Sequence, residues 1–150
     1  MVADTLFTYP DNFPAQKALI AAKYSGAQLT IAKDLVFRET NKTPKFLKKF
    51  PLGKVPAFEK SDGVLLTESN AIAYYVANDE LRGESDAAIP AQVVQWMCMA
   101  NNKIPPISCT WVFPNMGIMK FNVYATDRAR KDIRAYHDQN LLCWRASDQG

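Results

Sequence analysis

The chain has 150 residues, of which 48% are hydrophobic and 22% charged, a composition typical of a globular protein of one domain or two small ones. Its net charge of +3 is too small to indicate nucleic-acid binding by itself, and no stretch approaches the ~18 apolar residues of a membrane span. Because the first residues lack the basic and apolar regions of a signal peptide, we predict a cytoplasmic location. The three cysteines, at 98, 109 and 143, match no metal-ligand spacing, so free buried thiols and no metal site are predicted.

The first part of the chain predicts a strand, a helix and a second strand. Residues 6–9 form a short aromatic run before a proline, which is typical of a strand entering a turn. Residues 14–24 have helical spacing of apolar residues between Pro14, a favoured first helical residue, and Gly26, a favoured stop. Residues 28–37 have a pattern compatible with a strand. This order favours a parallel strand pair with a right-handed crossover.

The next part predicts a short helix, a hairpin and a longer helix. Thr43 supplies a capping hydroxyl for a helix over Pro44–Phe50. Residues 55–59 and 64–67 are predicted as antiparallel strands, because the segment between them contains an Asp-Gly pair. Residues 68–81 have helical spacing and end close to a glycine.

The remainder of the chain predicts mainly helix. A helix is expected over Pro90–Asn101 and a charged amphipathic helix over Tyr124–Tyr136. Ile104–Met119 contains three prolines and a glycine, so it is not expected to form one regular helix. The predicted organisation is an α/β unit at 1–82, a linker at 83–89, a helical unit at 90–136 and a tail without clear register at 137–150.

Two motifs within this order resemble the glutathione transferase family. They are KVPAF at residues 54–58 and LTESNAI at residues 66–72. The resemblance implies an α/β thioredoxin-like N-terminal domain (βαβ, short helix, ββα), followed by a partial all-α glutathione-transferase C-terminal domain. In that family the valine-proline bond is cis, and the backbone before the proline binds the cysteinyl part of glutathione. A glutamate-serine pair at the next helix start binds the γ-glutamyl group.

Carried over to this chain, the resemblance implies a glutathione site, vestigial or functional. Its residues would be Lys54, Val55, Pro56, Glu68 and Ser69. A transferase also needs a hydrogen-bond donor beside the glutathione thiolate. The candidate catalytic residues are Asn12, if Lys17 aligns with the basic residue of theta-like transferases, and Tyr9. An alternative explanation for Glu68 and Ser69 is that they only cap the following helix.

Longer segments resemble the gamma-subunit family of translation elongation factor 1 over about residues 4–134. The segments include LFTYPDNFPAQKALIAAKYSGAQ, TPKFLKKFPLGKVPAFE and TWVFPNMGIM. The resemblance implies a structural subunit whose partner is the guanine-nucleotide-exchange subunit of elongation factor 1, with a homodimer as an alternative assembly. After about Arg134 the chain departs from the family and lacks its later helices. We therefore expect exposed apolar helix faces, and either aggregation or a compensating partner.

Three functional hypotheses follow. The first is a non-catalytic anchoring subunit of the elongation factor 1 complex, for which no cofactor is required and direct nucleic-acid binding is not inferred. The second is a glutathione-binding protein or weak glutathione transferase, with glutathione as its ligand. The third is that the chain is an unstable, shortened product without a function of its own, which the absence of a cooperative melting transition would support.

The chain has one local basic cluster, consisting of Lys42, Lys45, Lys48, Lys49 and Lys54. Because these lysines alternate with apolar residues, a solvated helix face explains most of the cluster. The functional alternatives are a site for the glycyl carboxylate of glutathione or for an acidic protein or RNA partner.

Aromatic residues and the single histidine are interpreted structurally. Tyr75, Trp96, Trp111 and Phe113 are predicted to lie in the core. His137 has no companion ligand or base partner in the sequence, so it is predicted to be a surface residue.

Overall fold

A computed structural model describes residues 4–84 and 86–147, with side chains described as far as residue 138. The chain divides into two compact units, Met1–Val94 and Gln95–Gly150. The boundary between the units lies within a helix that begins at Ala88, inside the segment predicted as a linker. In the described part of the chain, no helix combines the length and the apolar character needed to cross a membrane.

A four-stranded sheet organises the first unit. Its strands are β1 (Thr5–Phe7), β2 (Thr30–Ile31), β3 (Ala57–Glu59) and β4 (Leu65–Leu66), in the order β2-β1-β3-β4. β1 and β2 are parallel, whereas β3 is antiparallel to both β1 and β4. Leu6 and Phe58 are register partners at the centre of the sheet, and both are fully buried. The topology confirms the predicted βαβ, short helix, ββα order.

Among the described residues of the first unit, the helices that accompany the sheet are α1 (Phe13–Ser25), α2 (Pro44–Lys49), α3 (Ser69–Val76) and α4 (Asp79–Arg82), with a short 3₁₀ helix at Thr40–Lys42 before α2. α1 ends at Gly26 in the left-handed conformation, as predicted, and packs against α3. The capping prediction for α2 is confirmed, because the Thr43 hydroxyl accepts a hydrogen bond from the amide of Phe46.

A cluster of aromatic rings anchors α2. Phe46 and Phe50 are buried with Ala57 of β3, and the ring of Phe7 packs against both phenylalanines. The Phe7 and Phe46 rings are edge-to-face with centroids 5.6 Å apart, a favourable geometry for an aromatic pair. This packing buries one face of α2 and leaves its lysines on the opposite, exposed face.

Several predicted elements of the first unit differ in extent, and two differ most. The strand predicted over residues 28–37 is only two residues long, because Thr40 Oγ1 accepts a hydrogen bond from the amide of Val36 and donates one to the carbonyl of Asp34. The helix predicted over 68–81 is two helices, since the chain is extended at Ala77 and Asn78 caps α4 by accepting from the amide of Leu81.

Most residues of the second unit lie in three helices: α5 (Ala88–Asn102), α6 (Ile104–Asn115) and α7 (Val123–Ser147). The first residues of α5 belong to the first unit. α6 and α7 pack against each other. As predicted, residues 104–119 do not form one helix throughout. The helical part, α6, is nevertheless longer than expected. Its first two prolines lie in the first turn, where a helix does not need their missing amide protons. α7 continues through residues 137–147, which were predicted as a tail without clear register.

Several predictions about burial were wrong. Tyr75 is 39% exposed, and Trp96, Trp111 and Phe113 are only partly buried. Cys98 is exposed and Cys109 is partly buried, so neither is a fully buried thiol; the side chain of Cys143 lies outside the described residues. Burial raises the pKa of the Cys109 thiol. His137 is exposed, as predicted.

The predicted exposure of the apolar faces of the later helices holds only in part. On α5, Trp96 and Met97 are partly buried, and on α7 Ala129 is buried. Val94 on α5 and Tyr124 on α7 are both exposed, as are Met116, Ile118 and Met119 after α6. Among the described residues, no group of His, Cys, Asp and Glu side chains could hold a metal ion.

Candidate ligand cleft

A cleft of about 410 Å³ lies in the first unit, where the loop before α1 approaches the segments on either side of α2. This volume is within the usual range for small-ligand sites. The cleft brings together four of the predicted site residues: Tyr9, Asn12, Lys54 and Val55. The other lining residues are Phe13, Pro14, Phe37, Arg38, Asn41, Lys42 and Gly53.

Asn41 joins two walls of the cleft. Its Oδ1 accepts a hydrogen bond of 2.7 Å from the amide of Arg38, and its Nδ2 donates one of 2.7 Å to the carbonyl of Gly53. Asn41 is only 3% exposed. Gly53 has φ +57°, and a Cβ there would lie 2.7 Å from the Asn41 carbonyl oxygen. The glycine therefore meets two needs, a left-handed backbone and a close approach to Asn41.

The aromatic lining of the cleft is a stacked pair. The rings of Tyr9 and Phe37 have centroids 4.4 Å apart and are inclined by 35°. The guanidinium carbon of Arg38 lies 5.7 Å from the centroid of the Phe37 ring, within the range of a cation–π contact. Tyr9 is thus held by packing with Phe37 at the end of β1.

Asn12, the first candidate catalytic residue, is held by the loop between β1 and α1. It is 2% exposed, and its Nδ2 donates a hydrogen bond of 3.0 Å to Thr8 Oγ1. Its backbone amide donates to the carbonyl of Tyr9. Asn12 occupies the position before α1, but its side chain makes no capping hydrogen bond. One of its two side-chain N–H groups is therefore committed to the protein.

The predicted glutathione-binding motif after α2 has the backbone geometry that the resemblance implies. The Val55–Pro56 peptide bond is cis. Pro56 is buried, Val55 is partly buried and packs against the aromatic cluster, and Lys54 is exposed. Lys54 and Val55 line the cleft, whereas Pro56 does not.

Glu68 and Ser69 lie at the start of α3 and do not line the cleft. Glu68 is exposed, has φ +66° and makes no side-chain capping hydrogen bond. Ser69 is buried. Side-chain capping by Glu68, the alternative explanation for its presence, is therefore wrong.

A polar contact beside Glu68 was not predicted from the sequence. Lys17 Nζ on α1 donates a hydrogen bond to Oδ1 of Asn70 on α3. Burial lowers the pKa of Lys17, and the nearby Glu68 carboxylate acts in the opposite direction. The sequence contains a signal for this contact, since Asn70 belongs to the recognised LTESNAI motif, but it does not indicate which residue of α1 would reach it.

A second cleft, of about 740 Å³, lies between α1 and the end of β2. It shares Tyr9 and Asn12 with the first cleft. These two residues therefore form a common boundary between two recesses of the same unit.

The sheet order and the cis Val55–Pro56 bond agree with the family to which the sequence is matched. Residues 3–78, half of the chain, match the family described as glutathione S-transferase, N-terminal domain. The chain therefore belongs to this family. Glutathione S-transferase I from maize, solved in complex with an atrazine glutathione conjugate, has a TM-score of 0.77 and 21% identity. This likeness covers 93% of the present chain and 68% of the maize chain.

Within the family, the chain is most informatively compared with proteins named Elongation factor 1-gamma. The Artemia salina protein is 65% identical over 133 residues, which are 89% of this chain and 31% of the relative. The solved glutathione-S-transferase-like domain of Elongation factor 1-gamma from Saccharomyces cerevisiae has a TM-score of 0.69 and 24% identity, covering 92% of this chain and 64% of that one. These matches confirm the predicted resemblance. The chain spans about 31% of the length of its curated relative.

Proposed function

We propose that the chain acts in translation elongation as a non-catalytic, structural and anchoring component of the elongation factor 1 complex, in the cytoplasm. Its specific partner would be the guanine-nucleotide-exchange subunit. The observation that carries this proposal is the 65% identity to Elongation factor 1-gamma over 89% of the chain. This identity extends beyond the family match at residues 3–78, so it includes helices of the second unit.

The candidate cleft supports a non-catalytic function. The residue closest in role to a thiolate-activating group is Asn12, a neutral amide that donates to Thr8 Oγ1. An amide does not act as a general base at neutral pH, and one donor committed to the protein leaves less to stabilise a thiolate. The ring of the other candidate, Tyr9, is stacked on Phe37, a contact that does not involve its hydroxyl group.

Co-purification tests the anchoring function. The 150-residue chain, carrying an affinity tag, is mixed with the untagged guanine-nucleotide-exchange subunit, and captured protein is quantified after washing. Stoichiometric capture is expected. Full-length Elongation factor 1-gamma serves as the positive control, and the chain with Ala18→Asp, a charge placed at a fully buried position of α1, serves as the unfolded control.

The outcome distinguishes docking from non-specific adhesion. Capture by the chain but not by the Ala18→Asp variant supports the proposal. No capture beside a working positive control would refute docking by these residues. Light scattering on the same samples separates a homodimer of the chain from a complex with the exchange subunit.

The second candidate function is glutathione binding with weak transferase activity. The observation in its favour is that Tyr9, Asn12, Lys54 and Val55 line one cleft. The adjoining wider cleft shares Tyr9 and Asn12 and offers room for a second substrate. Calorimetric titration with glutathione measures binding, and conjugation to an electron-poor aryl chloride measures activity.

Matched variants decide this alternative. Lys54→Ala removes one of the three cations that line the cleft, and Lys23→Ala, which removes an exposed lysine of the same unit outside both clefts, is the matched control. Saturable binding that Lys54→Ala weakens, with a conjugation rate above the rate in buffer, would support the alternative. A conjugation rate equal to the buffer rate would exclude the transferase activity while leaving the anchoring proposal intact.

A further inference from the structure

Positive charge is concentrated around α2. The segment from Arg38 to Lys54 contains six of the chain's 18 basic residues and one of its 15 acidic residues. Its net charge therefore exceeds the +3 of the whole chain. All of the basic residues in it are exposed: Arg38, Lys42, Lys45, Lys48, Lys49 and Lys54.

Most of this charge is not neutralised within the described part of the chain. Lys49 is paired with Glu59 at 2.6 Å. Among the described residues, no carboxylate forms an ion pair with Lys42, Lys45, Lys48 or Lys54. Neighbouring like charges raise the local potential, and an anionic partner lowers it.

The cleft accounts for only part of the charge. Lys42, Lys54 and Arg38 line it, whereas Lys45 and Lys48 on α2 do not. A small anionic ligand held in the cleft would leave both α2 lysines unpaired. A longer partner that continues from the cleft along α2 could pair with all of them.

The same surface has an apolar side chain in the turn that follows α2. Leu52 is 67% exposed and lies between Lys49 and Lys54 in the sequence. An exposed leucine among lysines is suited to a partner that has apolar as well as acidic groups. A polypeptide segment offers both kinds of group, whereas a phosphate backbone offers only charge.

The aromatic residues nearby argue against a single-stranded nucleic acid. Such strands are bound by stacking of their bases on aromatic rings. Phe37 already packs against the ring of Tyr9 at 4.4 Å and against the guanidinium group of Arg38 at 5.7 Å. Phe37 is 43% exposed, so these contacts occupy only part of its ring. The exposed residues of α2 include no aromatic side chain on which further bases could stack, and the observations therefore favour a protein partner.

We propose that the α2 basic surface, defined as Arg38, Lys42, Lys45, Lys48, Lys54 and Leu52, binds an acidic amphipathic segment of a partner polypeptide. Carboxylates of the segment pair with the lysines, and an apolar side chain covers Leu52. Such a segment crosses the mouth of the cleft and follows the exposed face of α2. The proposal does not rest on the anchoring function, since it fixes the chemistry of the partner and not its identity.

Fluorescence anisotropy tests the proposal with the full chain. The probe is a fluorescein-labelled peptide of alternating Glu and Leu. The double variant Lys45→Glu with Lys48→Glu is expected to weaken binding about tenfold or more, since it reverses two charges that face the partner. Lys23→Glu with Lys33→Glu changes the net charge equally at exposed positions of the same unit outside the surface, and we expect a change of less than about twofold.

A second pair of reagents tests the apolar contact. Leu52→Ser should weaken binding of the Glu-Leu peptide several-fold but leave binding of a Glu-Ser peptide unchanged.

The substituted side chains are exposed, and circular dichroism confirms that each variant is folded. Equal effects of the two double charge variants would overturn the proposal. It would also be overturned if single-stranded oligouridylate bound more tightly than the peptide and lost binding in the Lys45→Glu, Lys48→Glu variant.

Discussion

Replacement of Asn41 by alanine tests whether this side chain holds the candidate cleft together. Asn41→Ala removes the hydrogen bonds to the Arg38 amide and to the Gly53 carbonyl, each 2.7 Å long. It introduces no new charge and only a small loss of volume. The effect therefore reports mainly on the two bonds.

The expected loss of stability comes from the partners left behind. Gly53 is buried, so its carbonyl loses a hydrogen bond that water cannot readily replace, at a cost of about 1–3 kcal/mol. Arg38 is exposed, so water can bind its amide and the loss there is about 0.5–1 kcal/mol. The sum is about 1.5–4 kcal/mol, which at about 4 °C per kcal/mol lowers Tm by about 6–16 °C.

Urea denaturation followed by far-ultraviolet circular dichroism measures the free energy of unfolding. Asn78→Ala is the matched control, because Asn78 is exposed and makes one capping bond of 3.0 Å to the Leu81 amide. The control should lose about 1 kcal/mol. If Asn41→Ala lowers the free energy of unfolding no more than Asn78→Ala does, the cleft does not depend on Asn41 and the reasoning is wrong.

Three further predictions concern the same unit. Gly53→Ala should cost about 2 kcal/mol or more of unfolding free energy, whereas Gly63→Ala, also at positive φ but in open space, should cost about 1 kcal/mol; equal losses in urea would contradict the close approach. Burial lowers the pKa of Lys17 in the folded protein below the usual 10.5. Between the two pKa values the unfolded chain binds more protons than the folded one, so the free energy of unfolding rises with pH. The urea midpoint should therefore rise with pH in this range, and Lys17→Met should abolish that rise. Thr43→Ala should lower the free energy of unfolding by about 1 kcal/mol, because α2 loses its capping hydroxyl, whereas Thr43→Ser should keep the capping hydrogen bond.

The sheet order could be predicted because local signals and family motifs agree. Pro14 and Gly26 mark the limits of α1, and the Asp-Gly pair lies in the turn between β3 and β4. These signals act within a few residues, so they can be interpreted without knowledge of the tertiary structure.

The errors in element length have a common physical cause. At Thr40 and Asn78, a polar side chain binds nearby backbone groups and competes with the regular ladder. Hydrophobic spacing continues past Asn78, so it predicts one helix where the structure has two. At residues 34–36 it predicts a strand where the Thr40 side chain binds the backbone instead. The exposure of Tyr75 and the partial burial of Trp111 were missed for a related reason, since spacing identifies a helix face but not what covers it.

Four of the predicted site residues lie together, whereas their functional roles stay predictions. Tyr9, Asn12, Lys54 and Val55 do line one cleft, although they come from separate segments of the sequence. Asn41 and Lys17 were missed as structural residues because Gly53, which accepts from Asn41, and Asn70, which accepts from Lys17, are 12 and 53 positions away along the chain. No local pattern encodes a hydrogen bond at that separation, so such contacts become visible only when the fold brings the segments together.

The position of Asn41 connects the cleft with the α2 basic surface. Its two hydrogen bonds hold the backbone at Arg38 and at Gly53, and Arg38 and Lys54 belong both to the cleft and to that surface. Replacement of Asn41 should therefore weaken both the binding of a small ligand in the cleft and the binding of a polypeptide to the α2 basic surface. Lys45 and Lys48 lie outside the cleft, so their reversal should affect polypeptide binding alone. A comparison of these variants separates a site for a small thiol peptide from a surface for a protein partner, even though the two share residues.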